Sequence, residues 1–233
     1  MLALMSTSAF SEIYMDYGFP DGVLWRVGGF EVYDVIQRGE VKGEARIDYS
    51  QLTMLDAPAY RLEWTESWTD SETSHEITHD VKMAAENLRA LLCSRIVKVN
   101  DDEWRYEGNY SGENLSIQSF YPNDDEVYEY SITKTIPFSD ASILPFILRN
   151  IPFEENNFIT LTVLDVTTQN RFTPIAKITG SEIVETSKSQ YDCWVVKVST
   201  SGTGFTAWYS RSDEHYLVKV QFADRELVLN HHS

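Results

Sequence analysis

The chain has 233 residues, with 19 Lys and Arg against 36 Asp and Glu, a formal net charge of -17. That excess of acid excludes nucleic acid as a partner, because binding it requires clustered Lys and Arg to replace counterions along the phosphates, and it repels an anionic membrane surface. At 42% hydrophobic, 24% charged and 13% aromatic, the composition is that of a globular, β-rich chain able to bury a core.

Residues 1–20, opening MLALMSTSAFSE, read as an N-terminal arm or the remnant of a clipped secretion signal: small residues surround Ala9, without a positively charged n-region. Residues 21–233 read as a single domain, with neither an internal repeat nor a Pro/Ser/Gly-rich linker. No window approaches the roughly 18 apolar residues of a membrane span. From Leu24 onward, short period-two runs separated by turn residues predict antiparallel strands. Tyr60, Leu62, Trp64 and Trp68 share one parity, and Arg61, Glu63, Thr65 and Ser67 the other. Glu66 falls on the apolar parity, where an ionisable group is either a tuned acid or the point at which the strand leaves the core.

His75-Glu76-Ile77-Thr78-His79 fits H-E-x-x-H. On a helix the two imidazoles chelate zinc from one face and the glutamate polarises the bound water, with Glu103 as a conceivable third ligand. The residues leading in, Thr69 to Ser74, supply no apolar face for such a helix. As a strand, His75, Ile77, His79, Val81 and Met83 line one face, which separates the two histidines by roughly 13 Å, too far to share an ion. The expectation is therefore an extended segment without metal, a zinc metallopeptidase being the alternative. Val81 to Leu92 contains good helix formers, but only about three turns of them.

Turn signals follow at Asn100-Asp101-Asp102, Ser111-Gly112, Pro122-Asn123-Asp124, Gln169-Asn170 and Ser201-Gly202. One short helix is predicted over residues 140–150: Asp140 or Ser142 caps it, Pro145 sits near its first turn, Ile143, Leu144, Phe146 and Ile147 form its apolar stripe, and Pro152 closes it. Arg149 at its end either holds an anionic ligand group or favours the helix C-terminus. Trp194 and Trp208-Tyr209 either line a ligand cavity or belong to the core. Tyr216, Val218, Val220 and Phe222 alternate with Leu217, Lys219 and Gln221. His231 and His232 look like a tail. Cys93 and Cys193 are either buried free thiols or one long-range bridge. Roughly a dozen strands result, too many for one open sheet without curling, so a barrel, half-barrel or sandwich is expected.

From Ile143 to Phe222 the pattern resembles a bacterial domain-of-unknown-function family similar to the half-barrel lipoprotein carriers LolA and LolB. The pieces that carry the resemblance are the apolar helix ending in Arg149 with Pro152-Phe153 after it, the strands Phe158–Leu164, Ile178–Val184 and Tyr191–Val198, and Ala207–Asp213 leading into Tyr216–Val220. More loosely, Gly39–Ile47 matches an early strand and Val81–Arg95 a later segment. The resemblance implies a strongly curved antiparallel sheet around a helical plug, a strand at His79, an extracytoplasmic setting and no established catalytic residue. Together these readings predict a mostly β, incompletely closed barrel that acts as a non-enzymatic binding or carrier module for a lipid-like or other apolar ligand. Trp64, Arg149, Trp194, Trp208 and Tyr209 are the candidate ligand-binding residues, and no cofactor is expected. The zinc alternative uses His75, His79, Glu76 and Glu103. A second alternative is an acidic surface or assembly protein whose strand edges pair with neighbours.

Overall fold

Alternation sets the strands. In a computed structural model, which describes residues 12–14, 26–110, 114–133, 139–155, 157–200 and 204–233, the first half runs β1 (Glu12–Tyr14), β2 (Phe30–Gln37), β3 (Glu40–Met54), β4 (Ala57–Asp70), β5 (Thr73–Ala84), β6 (Ala90–Val99), β7 (Asp102–Asn109), β8 (Asn114–Phe120) and β9 (Val127–Thr133). A two-residue β10 (Ser139–Asp140) leads into a helical segment, α1 (Leu144–Ile147) flanked by single 3-10 turns at Ala141–Ile143 and Leu148–Asn150. The second half follows as β11 (Phe158–Thr160), β12 (Val163–Asp165), β13 (Asn170–Phe172), β14 (Ile175–Glu185), β15 (Gln190–Ser199), β16 (Phe205–Ser210), β17 (Leu217–Gln221) and β18 (Glu226–His232).

Strands β2 to β9 form one antiparallel meander, β14 to β18 another, and β18 pairs with β2 to make them one sheet. His231 and His232, expected to be a tail, lie in that joining strand opposite Val32 and Glu31. The sheet has 15 strands in the order β1-β11-β14-β15-β16-β17-β18-β2-β3-β4-β5-β6-β7-β8-β9, and β10, β12 and β13 form a separate three-stranded sheet.

This corrects the expected half-barrel. The sheet is neither closed nor strongly curved: it is open, and its end strands β1 and β9 each pair on one side only among the described residues. A sheet this wide need not curl if other elements cover its faces. The helical segment and the small sheet contribute Ile143, Leu144, Phe146, Val163 and Leu164 to the large core on one face. On the opposite face of β14 to β17, Val184, Cys193, Val195, Trp208 and Val218 form a second apolar cluster. The strand count was also low, because three-residue elements such as β11 to β13 are too short to show alternation.

The helical segment follows the sequence closely. Asp140 caps it, accepting from the Ser142 backbone N–H at 2.9 Å, and Tyr110 donates to the same carboxylate at 2.7 Å. Pro145 occupies the first turn of α1, where no N–H is needed. The helix-prone stretch Val81–Leu92 instead continues β5, turns with Leu88 at φ 56°, and enters β6. Val81, Met83, Ala90 and Cys93 are buried there, so tertiary packing overrides local propensity. Both cysteines are free and buried, Cys93 in the large core and Cys193 in the second cluster. The expected alternation in β17 breaks at one point. A bulge between Trp208 and Tyr209 puts Leu217 and Val220 in the main core and Val218 on the other side.

Two tight hairpins set the register of the longest strands. Arg38 (φ 53°) and Gly39 (φ 81°) join β2 to β3, and Leu55 (φ 52°) and Asp56 (φ 61°) join β3 to β4. Positive φ at both central positions is the type I′ geometry that matches strand twist and favours Asn-Gly. Leu55 is 71% exposed, so it gains no burial for this conformation. Replacing Leu55-Asp56 by Asn-Gly removes the strain; a gain of about 1 kcal/mol raises Tm by about 2–4 °C for a chain of this size. Calorimetry that finds Tm unchanged or lowered contradicts this account of the turn.

Candidate functional site

Residues directly opposite one another on adjacent strands share a face, so register decides which side chains meet. One row crosses the first meander as Ile47, Trp64, His79, Arg95 and Tyr106, on β3 to β7. The neighbouring row runs Ala45, Glu66, Ile77, Val97 and Trp104. Both rows face the core.

A cavity of about 340 Å³ opens over these rows. Trp64, Ile77 and His79 form its floor, Leu144 and Pro145 of the helical segment one wall, and Phe172, Phe205 and Phe222 the opposite walls. Arg95 with Asp165, and Arg225 with Asp224, stand at its polar margin. Trp64 packs edge-on against Phe146 at 5.1 Å and stacks on His79 at 4.8 Å, which fixes both rings. Yet Trp64 Nε1, His79 Nδ1 and Arg95 Nε are all buried without a hydrogen-bond partner among the described residues. Three such groups in one row of three adjacent strands depart from the usual satisfaction of buried polar atoms.

Arg225 closes one end. From the β17–β18 turn its guanidinium grips Glu66 of β4 in a two-pronged pair, with Nη2 donating to Oε2 at 3.0 Å and Nε donating to Oε1. It also lies 5.1 Å from the Trp68 ring and 4.9 Å from the Phe222 ring. Glu66 is 1% exposed, so the strand does not leave the core there. Burial pushes its carboxyl up more than Arg225 draws it down. His79 shifts the other way: burial, then the charges of Arg95 and Arg225, hold its pKa well below the ordinary histidine value.

The metal alternative finds no centre. Segment Thr73–Ala84 is strand, as its alternation predicts, and the two imidazoles diverge along it: His75 stacks on Trp68 at 4.7 Å while His79 stacks on Trp64. Glu76 and Glu103 belong to the other face, where both flank Lys98, at 3.0 and 4.0 Å. Among the described residues no group of three or more His, Cys, Asp or Glu is placed to hold a metal ion.

The remaining candidate residues separate. Arg149 is 1% exposed, and its Nη1 donates to Glu31 at 2.7 Å while Nη2 donates to the Glu214 carbonyl at 2.9 Å. Tyr33 and Tyr49 donate to the other oxygen of Glu31 at 2.7 and 2.8 Å. Burial opposes the charge of Arg149, but Glu31 together with Tyr49 and Tyr33 outweighs it, and the pKa is raised. Trp194 and Tyr209 meet at Phe153, with ring centroids 6.3 and 5.4 Å away, and His215 adds its edge at 4.6 Å. Trp208 points to the opposite face, bonded to Glu182 beneath Lys219. Of the five candidates, only Trp64 lines the cavity. Sequence reading missed His79 as part of an organic site, because its motif pointed to metal, and missed Arg95 and Arg225, which have no local signature.

Residues 32–225 match the family model described as a protein of unknown function, DUF3108, and the chain belongs to that family. No curated protein matches the chain in sequence. Among solved structures it is similar to a β-barrel-like protein of the domain of unknown function DUF1849 from Brucella abortus, at 8% identity and a TM-score of 0.53, over 89% of this chain and 97% of that one. That likeness concerns the fold alone. The family shown is thus DUF3108, and not specifically that of LolA or LolB.

Two outcomes follow from the buried charges. Arg225→Met leaves Glu66 buried and unpaired and costs about 3–5 kcal/mol in denaturant unfolding, whereas Glu66→Leu combined with Arg225→Met recovers most of that loss. A double variant as unstable as the sum of the two singles contradicts the pairing. For His79 the depressed pKa acts on the acid side. Above about pH 6.5 the ring is neutral folded and unfolded; below it the unfolded chain takes up a proton that the buried ring refuses, and stability falls by up to about 1.4 kcal/mol per pH unit. His79→Phe should flatten the stability profile from about pH 6.5 downward, and an unchanged slope rejects the assignment.

Proposed function

We propose that this DUF3108 protein is a non-enzymatic binding module for a lipid-like or other apolar ligand, held in the cavity over Trp64 and His79. A single observation supports this reading most directly: a cavity of about 340 Å³ lined mostly by apolar and aromatic side chains, with its charged groups at the margin. Small-molecule sites have this make-up, mostly apolar walls for affinity and few polar atoms for orientation. At roughly 30 Å³ per non-hydrogen atom, the share of one water in the liquid, the volume suits a molecule with about ten such atoms. A non-enzymatic role fits the ionisable groups at the margin and behind it, since Glu66 is committed to Arg225 and Asp165 accepts from the backbone N–H of Thr167 and the hydroxyl of Thr168.

Native mass spectrometry of the purified chain and calorimetric titration with decanoate, an apolar probe of about the size the cavity takes, test the proposal. Phe172→Asp places a charge in the wall and should weaken probe binding by roughly 10-fold or more, the worth of one buried aromatic side chain. Trp208→Phe, on the opposite face of the sheet, should leave it unchanged. Failure of the native chain to bind the probe, or equal loss in both variants, counts against the cavity as the site.

A further inference from the structure

We infer that β9 (Val127–Thr133) is a docking edge for an extended segment of a basic partner protein, one that alternates Lys or Arg with apolar side chains and joins the sheet as its next strand. This surface is separate from the cavity and does not depend on what the cavity holds. Among the described residues β9 ends the 15-stranded sheet and pairs only with β8. An added strand gains affinity from main-chain hydrogen bonds along such an edge, and its alternate side chains set specificity.

On the core side the apolar surface runs out to the border before it is covered. Register sets Ile132 and Tyr130 of β9 opposite Leu115 and Ile117 of β8, which are fully buried, yet Tyr130 and Ile132 are only half-buried against the core. Tyr128, on the same parity, is largely exposed. Its ring packs edge-on against Tyr121 at 5.3 Å, and Tyr121 in turn against Tyr106 at 6.4 Å, so aromatic packing continues from the core to the edge. Apolar side chains on one parity of an incoming strand would cover Tyr128, Tyr130 and Ile132, as β8 covers their inner sides.

The other face selects the charge. There a row runs Glu107, Gln118 and Glu129 across β7, β8 and β9, and Gln118 donates to Glu129 at 2.8 Å. From Tyr106 to Thr133 the chain has no Lys or Arg but six acids: Glu107, Glu113, Asp124, Asp125, Glu126 and Glu129. Residues opposite one another on adjacent strands lie about 5 Å apart, so Lys or Arg facing Glu129 would extend that row with the charge it lacks. Asp124, Asp125 and Glu126, just before β9, spread the same negative potential to the start of the strand. Apolar on one parity and cationic on the other is therefore the pattern complementary to this edge.

Two labelled peptides of about eight residues, one alternating Lys with Val and the other Glu with Val, are titrated into the full-length native chain by fluorescence anisotropy. The lysine peptide should bind saturably and the glutamate peptide should not. Strand pairing uses the amides of every second residue, so N-methylation of one alternate set in the lysine peptide should abolish binding while methylation of the other set leaves it. Glu129→Lys, at an exposed position, should weaken the lysine peptide by roughly 5-fold or more, because it turns a cross-strand attraction into a repulsion. Equal binding of the two peptides, or binding of neither, overturns the inference. Equal effects of the two methylated sets, or no effect of Glu129→Lys, also overturn it, since attraction without strand pairing at β9 then accounts for the binding. A chain that light scattering shows paired with its own copy, and that refuses the lysine peptide, overturns it in favour of a second copy as occupant.

Discussion

The buried ion pair of Arg149 with Glu31 determines where the helical segment lies, and the cavity depends on it. The helical segment presents Leu144 and Pro145 to the cavity, and five residues further on from Leu144 its single cation reaches β2. Apolar packing alone is non-directional, so a short segment buried along its whole length has many ways to rest on a sheet. A charge that must find its one counter-charge, itself oriented by Tyr33 and Tyr49, leaves one. The Tyr209 hydroxyl, donating to the Pro145 carbonyl at 2.5 Å, ties the same segment to β16. One pair thereby fixes the segment against the first meander and one hydroxyl against the second.

The sequence showed this fold unevenly, for physical reasons. Long strands were legible wherever one face is buried and the other wet: β4 and β5 could be read residue by residue, and that reading removed the zinc motif at His75 and His79. The helical segment was legible because its cap, proline and apolar stripe are local. What sequence did not show is set by distant pairing. Nothing in Glu226 to His232 announces that the last strand will join the two meanders, and the bulge at Trp208 reverses parity in β17 without any glycine to mark it. The overall form was misread because strand number was taken to imply curling, whereas cover from other elements allows an open sheet.

The site shows the same division. Trp64 was visible as an aromatic on a buried parity, but its neighbours His79 and Arg95 come from separate strands and Arg225 from a turn 161 positions on. Glu66 was visible as an anomaly without an explanation, which the Arg225 pair supplies. Arg149 was read either as a cation holding a ligand's anionic group or as one favouring the helix C-terminus; it is buried on a partner that lies 118 residues away, beyond any local pattern. Buried charges in this protein join elements remote in sequence, which is why no local pattern names their partners.

The open edge at β9 has a consequence for how copies of the chain meet. Among the described residues β9 pairs on one side only, a strand whose other side offers amides and carbonyls to any similar strand, and Val127 and Tyr128 there are 47% and 46% exposed. Asp124, Asp125 and Glu126 immediately precede this strand and Glu129 lies within it. Two such edges approaching each other bring like charges together before their backbones can bond. The excess of acid thus guards the chain against polymerising through its own border.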